Sequence, residues 1–509
     1  MRTAIFLFFV IVTATNSIAN ETSTEALILE DIAIVDVETG KIVKPRSILL
    51  EHGRVMEVAD SPSPDWPDAQ RPDVAGLFLS PALYDAHVHL FDERDLQMYA
   101  LSGIQAVRNM DGWPWHLSVR DQNSESESPR ARFITVGSQL QLPDIETADD
   151  ALERISQERN TGYDWVKLYD DLPSAALAGL ATQRDYLVTG HLPSNVPVPE
   201  VLQFGVLDDI AHAEELTHAL GGDYPEGEPG LDALAQDMLE SGTALTTTLV
   251  NNRMIADQLA DFEANLNRPE VAYAPPLLQA FWRSPINPWS APHDAESVAR
   301  VDRQVHSLMS LTAGLHKRGV ALLAGSDAPN PTTVPAYSLY QELSLLVEAG
   351  LTPAQALQTA TISAADRLEP GQHMARIEAG ASANFILSRK NPLEDIAVLQ
   401  EFEALVIDGN WFTRQQTDDQ REQLRIAYER DLEVLSGFAP DSPAGVFEAI
   451  EASSNKPAIS AEGLTSLVWF YMKIGNLEAA STVAERLVQM YPSPGSQAIS
   501  TYIDGRIGD

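Results

Sequence analysis

Cysteine is missing altogether from the 509 residues. That absence rules out disulfides, thiolate metal sites and cysteine nucleophiles. Basic residues are scarce. Lys and Arg number 34 against 73 Asp and Glu, a formal net charge of −39. A phosphate backbone needs a basic footprint, so nucleic acid is excluded as a partner and docking on an anionic membrane surface is disfavoured. The acidic excess is expected to form a solvated surface that keeps the chain soluble, and it would also suit a salty habitat. Past the first residues, no apolar run approaches the ~20 residues that a membrane span needs.

The first segment is MRTAIFLFFVIVTATNSIANETS. One basic residue, a short apolar run and small residues ending in Ser17-Ile18-Ala19 predict a secretory signal peptide over 1–19, cleaved after Ala19. The mature protein is then exported, periplasmic or secreted, with no stable membrane association. An uncleaved anchor is the alternative, and the shortness of the run argues against it. The lack of a Cys near the cleavage point argues against a lipoprotein.

With 44% hydrophobic and 21% charged residues, the rest has the balance of a folded chain. From residue 26, LILEDIAIVDVETGKIVKPRSILLEHGRVMEVAD alternates apolar and polar residues between turns, as antiparallel strands do. The pattern returns in ANFILSRKNP and ALVIDGNWF. A β-sandwich built from 26–79 and 366–413 is expected. Between them, over 80–365, eight apolar runs alternate with polar or helical stretches: LSPALYDAHVHLF, GIQAVRNM, RFITVG, DWVKLY, YLVTGH, LDDIAHA, ALTTTLV and ALLAGSDA. Eight βα units in series predict an α/β fold, a (β/α)8 TIM barrel, with RFITVG the weakest of the eight. Residues 252–295 interrupt the rhythm with Trp282, Trp289 and several prolines, and are long enough for a lid. Residues 414–509 turn helical. There AEGLTSLVWFYMKIGNLEAASTVAERLVQMYPSPG resembles a single tetratricopeptide hairpin turning at Gly475-Asn476. One such unit is expected to cap the barrel, or else to offer a surface for a protein partner or for self-association.

Barrel enzymes place their chemistry at the C-terminal ends of the strands. Run one ends in His87-Val88-His89, and alternation puts both imidazoles on one side. Run four carries Lys167, run five ends in His191, run six holds His212 and run eight holds Asp327. The other histidines (His52, His116, His218, His293, His306, His316 and His373) fall in turns, loops or helices and are read as ordinary. Four histidines and an aspartate at separate strand ends of one barrel point to a metal site.

Lys167 sits mid-strand, where an ammonium would be poorly solvated and repelled by metal ions. A neutral amine can instead react with carbon dioxide to give a carbamate, an anion with two oxygens able to bridge two metals. This suggests a binuclear site, with His87, His89 and Asp327 on one ion and His191 and His212 on the other. Pairing of Lys167 with Asp164, Asp170 or another acid, or snorkelling to solvent, remains the alternative.

These residues resemble the amidohydrolase superfamily, closest to its exported imidazolonepropionase-like and prolidase-like bacterial members. The motifs are DAHVHL, VRNMDG, YDWVKLY, VTGHLP, IAHAEEL and LLAGSDA. After them come SLYQELSLLVEAGLTPAQALQTATISAADRL, GASANFILSRKNPLEDI and VIDGNWF, in the family's order over 27–413. The resemblance implies two divalent metal ions, usually zinc, a carbamylated Lys167, and hydrolysis of amide or ester bonds by a metal-bridging hydroxide. It makes His87, His89, Lys167, His191, His212 and Asp327 the ligands, and Asp327 also the proton relay. Tyr169 is a candidate oxyanion donor, with core packing as its alternative. Arg108 is a candidate for a substrate carboxylate, with a structural ion pair as its alternative. Three departures stand out: GSDA for GTDA, SANFIL for ADLVLL, and Tyr340 of SLYQEL where a His is common, so that Tyr340 is a candidate substrate contact and specificity does not carry over from relatives if that position meets substrate. The expected substrates are dipeptides or N-acyl amino acids. Lactone, organophosphate or carbamate hydrolysis on the same site, or an inactive barrel that binds partners through its helical tail, are the alternatives. Deamination fits less well, because it does not need a bridging lysine.

Overall fold

A computed structural model describes residues 26–508, apart from 124–125, 127, 170, 183–184, 221–229, 285–286, 331 and 455–456. The expected signal peptide lies outside the described residues. No described helix is long and apolar enough to cross a membrane.

Among the described residues, fifteen strands form two sheets. The first holds β1 (Leu27–Asp36), β2 (Lys41–Glu51), β3 (Arg54–Ala59) and β4 (Phe78–Pro81), together with β13 (Phe385–Ser388), β14 (Ala404–Ile407) and β15 (Asn410–Thr413). Its order is β15-β14-β13-β4-β1-β2-β3. Both ends of the catalytic region thus build this β layer, as the sequence implied. It is one continuous ladder, mostly antiparallel, with β4 parallel to β1.

The second sheet is the barrel: β5 (Leu83–Val88), β6 (Ile104–Asn109), β7 (Arg132–Leu140), β8 (Trp165–Leu168), β9 (Leu187–Gly190), β10 (Asp209–Ala211), β11 (Ala244–Thr247) and β12 (Leu322–Ala324). Neighbours pair in parallel in sequence order. The ends meet where Asp327 N–H donates to the His87 carbonyl at 2.8 Å and His89 N–H to the Ala328 carbonyl at 2.7 Å. Strands covered on both faces become near-continuous apolar runs, and so all eight runs are strands. Run one is divided. Phe78–Pro81 pairs in the first sheet and Leu83–Val88 in the barrel, and the change comes at Ala82, whose N–H still donates to the Asn384 carbonyl at 2.9 Å.

The 252–295 excursion is a layer of short helices. Buried Trp282 packs with Leu278, with Phe91 after β5, and with Val334 after β12. Among the described residues after β15 lie five helices: Arg414–Leu435, Ala444–Ala452, Ala461–Lys473, Leu477–Met490 and Pro494–Gly508. The hairpin turns at Gly475, with φ of +75°, and the Asn476 side chain accepts from Ala479 N–H to cap the following helix. These helices pack onto the barrel. Tyr428 Oη donates to Asp95 Oδ1 at 2.7 Å, Arg94 pairs with Asp431 at 2.9 Å, and Ser466 Oγ donates to the Phe91 carbonyl at 2.6 Å.

Candidate active site

Every candidate ligand stands at or just past a strand's C-terminal end. His87 lies in β5 and His89 one residue beyond it. Lys167 lies in β8, His191 and His212 directly follow β9 and β10, and Asp327 follows β12. The backbone there is tightly constrained. A Cβ on Gly325 would lie 2.7 Å from the His87 Cβ, and one on Gly190 would lie 2.0 Å from the Leu168 carbonyl oxygen. Glycine is therefore what lets β12 approach His87 and turns β9 into His191. His212 and Asp327 have φ of +76° and +52°. Side-chain-bearing residues rarely adopt such backbone, and strain of this kind persists where surrounding bonds over-determine it. Here His212 N–H donates to the Thr246 carbonyl at 3.1 Å, and Asp327 is held by the His87 carbonyl.

Nε2 of His87 and of His89 lie 3.3 and 3.1 Å from Asp327 Oδ1. One ligand atom from each of the three lies within 4.8 Å of the others. The His212 ring sits 4.6 Å from that of His87 and 5.0 Å from that of His191. Both ring nitrogens of His87, Nδ1 of His89, Nε2 of His191 and Asp327 Oδ1 are buried with no hydrogen-bond partner. Leaving each such atom unanswered costs about 1–3 kcal/mol, and a cation among them would satisfy several at once. The donor set fits one: nitrogen and carboxylate ligands with no thiolate. Burial above all keeps the imidazoles neutral. It pushes His87 down to about 4, His191 to about 3, and His89 and His212 below their ordinary value. A neutral imidazole has the lone pair that a metal needs.

Lys167 is 1% exposed, so it does not snorkel. Burial pushes its ammonium down to about 8 against the opposing pull of Asp111 and Asp327. Asp164, one alternative partner, engages Arg120 at 3.3 Å. Asp170 lies outside the described residues. No carboxylate among the described residues lies within ion-pair distance of Lys167, and its charge acts on all four histidines. Half-buried Tyr169 stands beside the cluster, its ring 4.6 Å from that of His191 and 5.5 Å from Lys167 Nζ.

Sequence reasoning missed several residues. Asn251 Nδ2 donates to Asp327 Oδ2, and Thr248 Oγ1 lies 3.1 Å from His212 Nδ1. Glu214 Oε1 lies 3.8 Å from the same nitrogen. Thr248 and Asn251 follow β11, the strand of run seven. That run has no His or Asp and drew no attention, although polar residues after a barrel strand are themselves a signal. Ser326 Oγ donates to buried Asp85 Oδ2 at 2.6 Å, which ties β12 to β5 and keeps a hydroxyl in GSDA where GTDA has one.

An amidohydrolase family model matches residues 277–412. The bottromycin amidohydrolase structure superposes with a TM-score of 0.64 at 21% identity, covering 79% of this chain and 90% of that one. A Xaa-Pro dipeptidase with bound methionine gives 0.59 at 16% identity, over 76% of this chain and all of the other. Residues 277–412 thus match the amidohydrolase family, and the chain shares the fold of these structures. Ochratoxinase from Aspergillus niger is 33% identical over 112 residues, which is 22% of either chain. Its structure shares the amidohydrolase fold, with a TM-score of 0.55 over 76% of this chain and 96% of that one at 16% identity.

Two substrate-contact expectations are corrected by the structure. Arg108 is fully buried inside the barrel below the ligands. Its two terminal nitrogens donate to Asp209 at 2.8 Å each, its Nε donates to the Ala86 carbonyl, and it stacks 4.6 Å from the Trp165 ring centre. The structural ion pair is what forms, because β6 and β10 face each other across the interior. Tyr340 donates its hydroxyl to the Ser102 carbonyl, just before β6 and so at the opposite end of the barrel from the ligands. We expect Arg108→Met to lose about 3–5 kcal/mol in urea unfolding, since it strands the Asp209 charge. Adding Asp209→Leu should recover most of that loss. A single variant as stable as the parent would overturn this assignment.

Proposed function

We propose that the chain is an exported, binuclear metal-dependent hydrolase of amide bonds, acting on dipeptides or N-acyl amino acids. What carries the reading is the convergence at one barrel mouth of four neutral histidines, an aspartate and a buried lysine with no carboxylate within ion-pair distance among the described residues, several of the imidazole and carboxylate atoms being buried without a hydrogen-bond partner. Relatives named as a dipeptidase and an amidohydrolase support the reaction class.

His87, His89 and Asp327 would hold one ion and His191 and His212 the other. The neutral Lys167 amine would take up carbon dioxide and release a proton, giving a carbamate that would add anionic oxygen ligands to the site. Divalent ions, zinc by the nature of the ligands, would supply an acidified water and an electrophile for the carbonyl. Asp327, steadied by Asn251 through its other oxygen, takes the proton from the attacking water. It returns that proton to the leaving nitrogen as the carbon–nitrogen bond breaks, giving a carboxylate and an amine. Tyr169 donates to the carbonyl oxygen as negative charge gathers there.

The first test is metals per chain by plasma mass spectrometry on mature protein purified without chelator, in bicarbonate buffer. The expected result is about two ions per chain, with hydrolysis of a dipeptide or N-acyl amino acid abolished by a chelator and restored by zinc. A protein that stays metal-free after reconstitution would sink the proposal.

A further inference from the structure

We propose that Glu342 is a positioning residue for the proposed metal site. Reaching across from the helix Tyr337–Glu348, it caps the helix Leu249–Ala260 in place of Thr248, which leaves the Thr248 hydroxyl to orient His212. This deepens the metal-dependent hydrolase reading and rests on it.

Glu342 lies in the largely apolar stretch SLYQELSLLVE and is fully buried. A buried carboxyl is costly unless hydrogen bonds answer it. Its donors stand at the start of another helix. Val250 N–H donates to Glu342 Oε2 at 2.7 Å, and Leu249 N–H acts on the same carboxyl. The first N–H groups of a helix have no partner within it, and the side chain of the residue just before the helix usually accepts from one of them. That residue here is Thr248, a type suited to the task, yet its hydroxyl makes no capping bond. Instead Thr248 Oγ1 lies 3.1 Å from His212 Nδ1, nearer than Glu214 Oε1 at 3.8 Å. By accepting from Nδ1–H, Thr248 selects the tautomer that keeps a lone pair on Nε2 for a metal. Asn251, in the same first turn, donates to Asp327 Oδ2. One borrowed carboxyl therefore fixes the turn that orients two of the proposed ligands.

The test is nitrogen NMR of the metal-free mature protein labelled at histidine, with the His212 signals assigned by their loss in His212→Gln. The parent should show His212 as the Nδ1–H tautomer. Glu342→Leu should give a mixture of the two tautomers and weaken zinc binding about tenfold or more in a chelator competition. Glu342→Gln keeps an oxygen for Val250 N–H, so it should hold the parent's tautomer and most of its zinc affinity. Thr248→Val should give the same mixture, and adding Glu342→Leu to it should change the tautomers no further. Glu342→Asp draws the carboxyl back by one carbon and supplies the same readout if the leucine variant does not fold. A cap that served stability alone would behave differently. Glu342→Leu would then unfold at lower urea with tautomer and zinc affinity unchanged, and that result would overturn the proposal. So would a parent His212 that carries its proton on Nε2. No turnover is needed for the readout. A chain that holds His212 through Glu342 and Thr248 yet binds no zinc would refute the metal reading and leave this positioning role standing.

Discussion

The Asp327→Asn variant is expected to fold normally and to lose kcat by about 10²–10⁴-fold with little change in KM. Asp327 sits at the centre of the cluster. One oxygen lies within 3.3 Å of two histidine nitrogens and the other takes the Asn251 amide. An amide of nearly the same shape keeps an oxygen for Asn251 but cannot accept a proton. It also replaces an anionic ligand by a neutral one, so metal affinity falls as well. Measuring kcat at saturating metal separates the two effects. A variant within about tenfold of the parent under those conditions would show that another group moves the proton.

Lys167→Met is expected to bring metals per chain from about two to one or fewer, with affinity down by about 10²-fold or more, and to abolish hydrolysis. Methionine has a similar length and no amine, so it fills the space without offering a carbamate. Folding should not suffer. Lys167 is fully buried, its charge is disfavoured there, and no carboxylate among the described residues pairs with it, so an apolar side chain removes a desolvation cost. Urea unfolding of the metal-free protein is then at least as stable as the parent, which separates a lost ligand from a damaged fold. Unchanged metal content and activity would return Lys167 to a structural role.

Much of this was legible in the chain because barrel strands are short, buried and followed by their functional residues. The run YDWVKLY shows a strand, and the lysine inside it is out of place by any packing argument. DAHVHL shows two histidines on one face by alternation alone. Arg108 was different. VRNMDG places it at a strand end, and the sequence allows either a substrate or an ion pair. The deciding partner, Asp209, lies 101 residues away and meets it only because the sheet closes. Tyr340 likewise could be assigned only once the chain had brought Ser102 to it. The first apolar run hid a change of sheet at Ala82, since both halves are buried and hydrophobicity cannot say which neighbour a strand pairs with.

The tail shows the same division. Its hairpin was visible from helical periodicity and a Gly-Asn turn, which are local signals. That Ser466 meets the Phe91 carbonyl was not, because nothing between residues 91 and 466 encodes the docking locally. By itself the sequence determined what depends on a residue's near neighbours: strand and helix periods, turns, and the strand ends where the candidate ligands stand. Which of those side chains face one another was decided only by tertiary structure. Barrel closure and helix docking join residues far apart in the chain, and the low-dielectric interior they create makes each burial, each orphaned nitrogen and each buried charge depend on its surroundings.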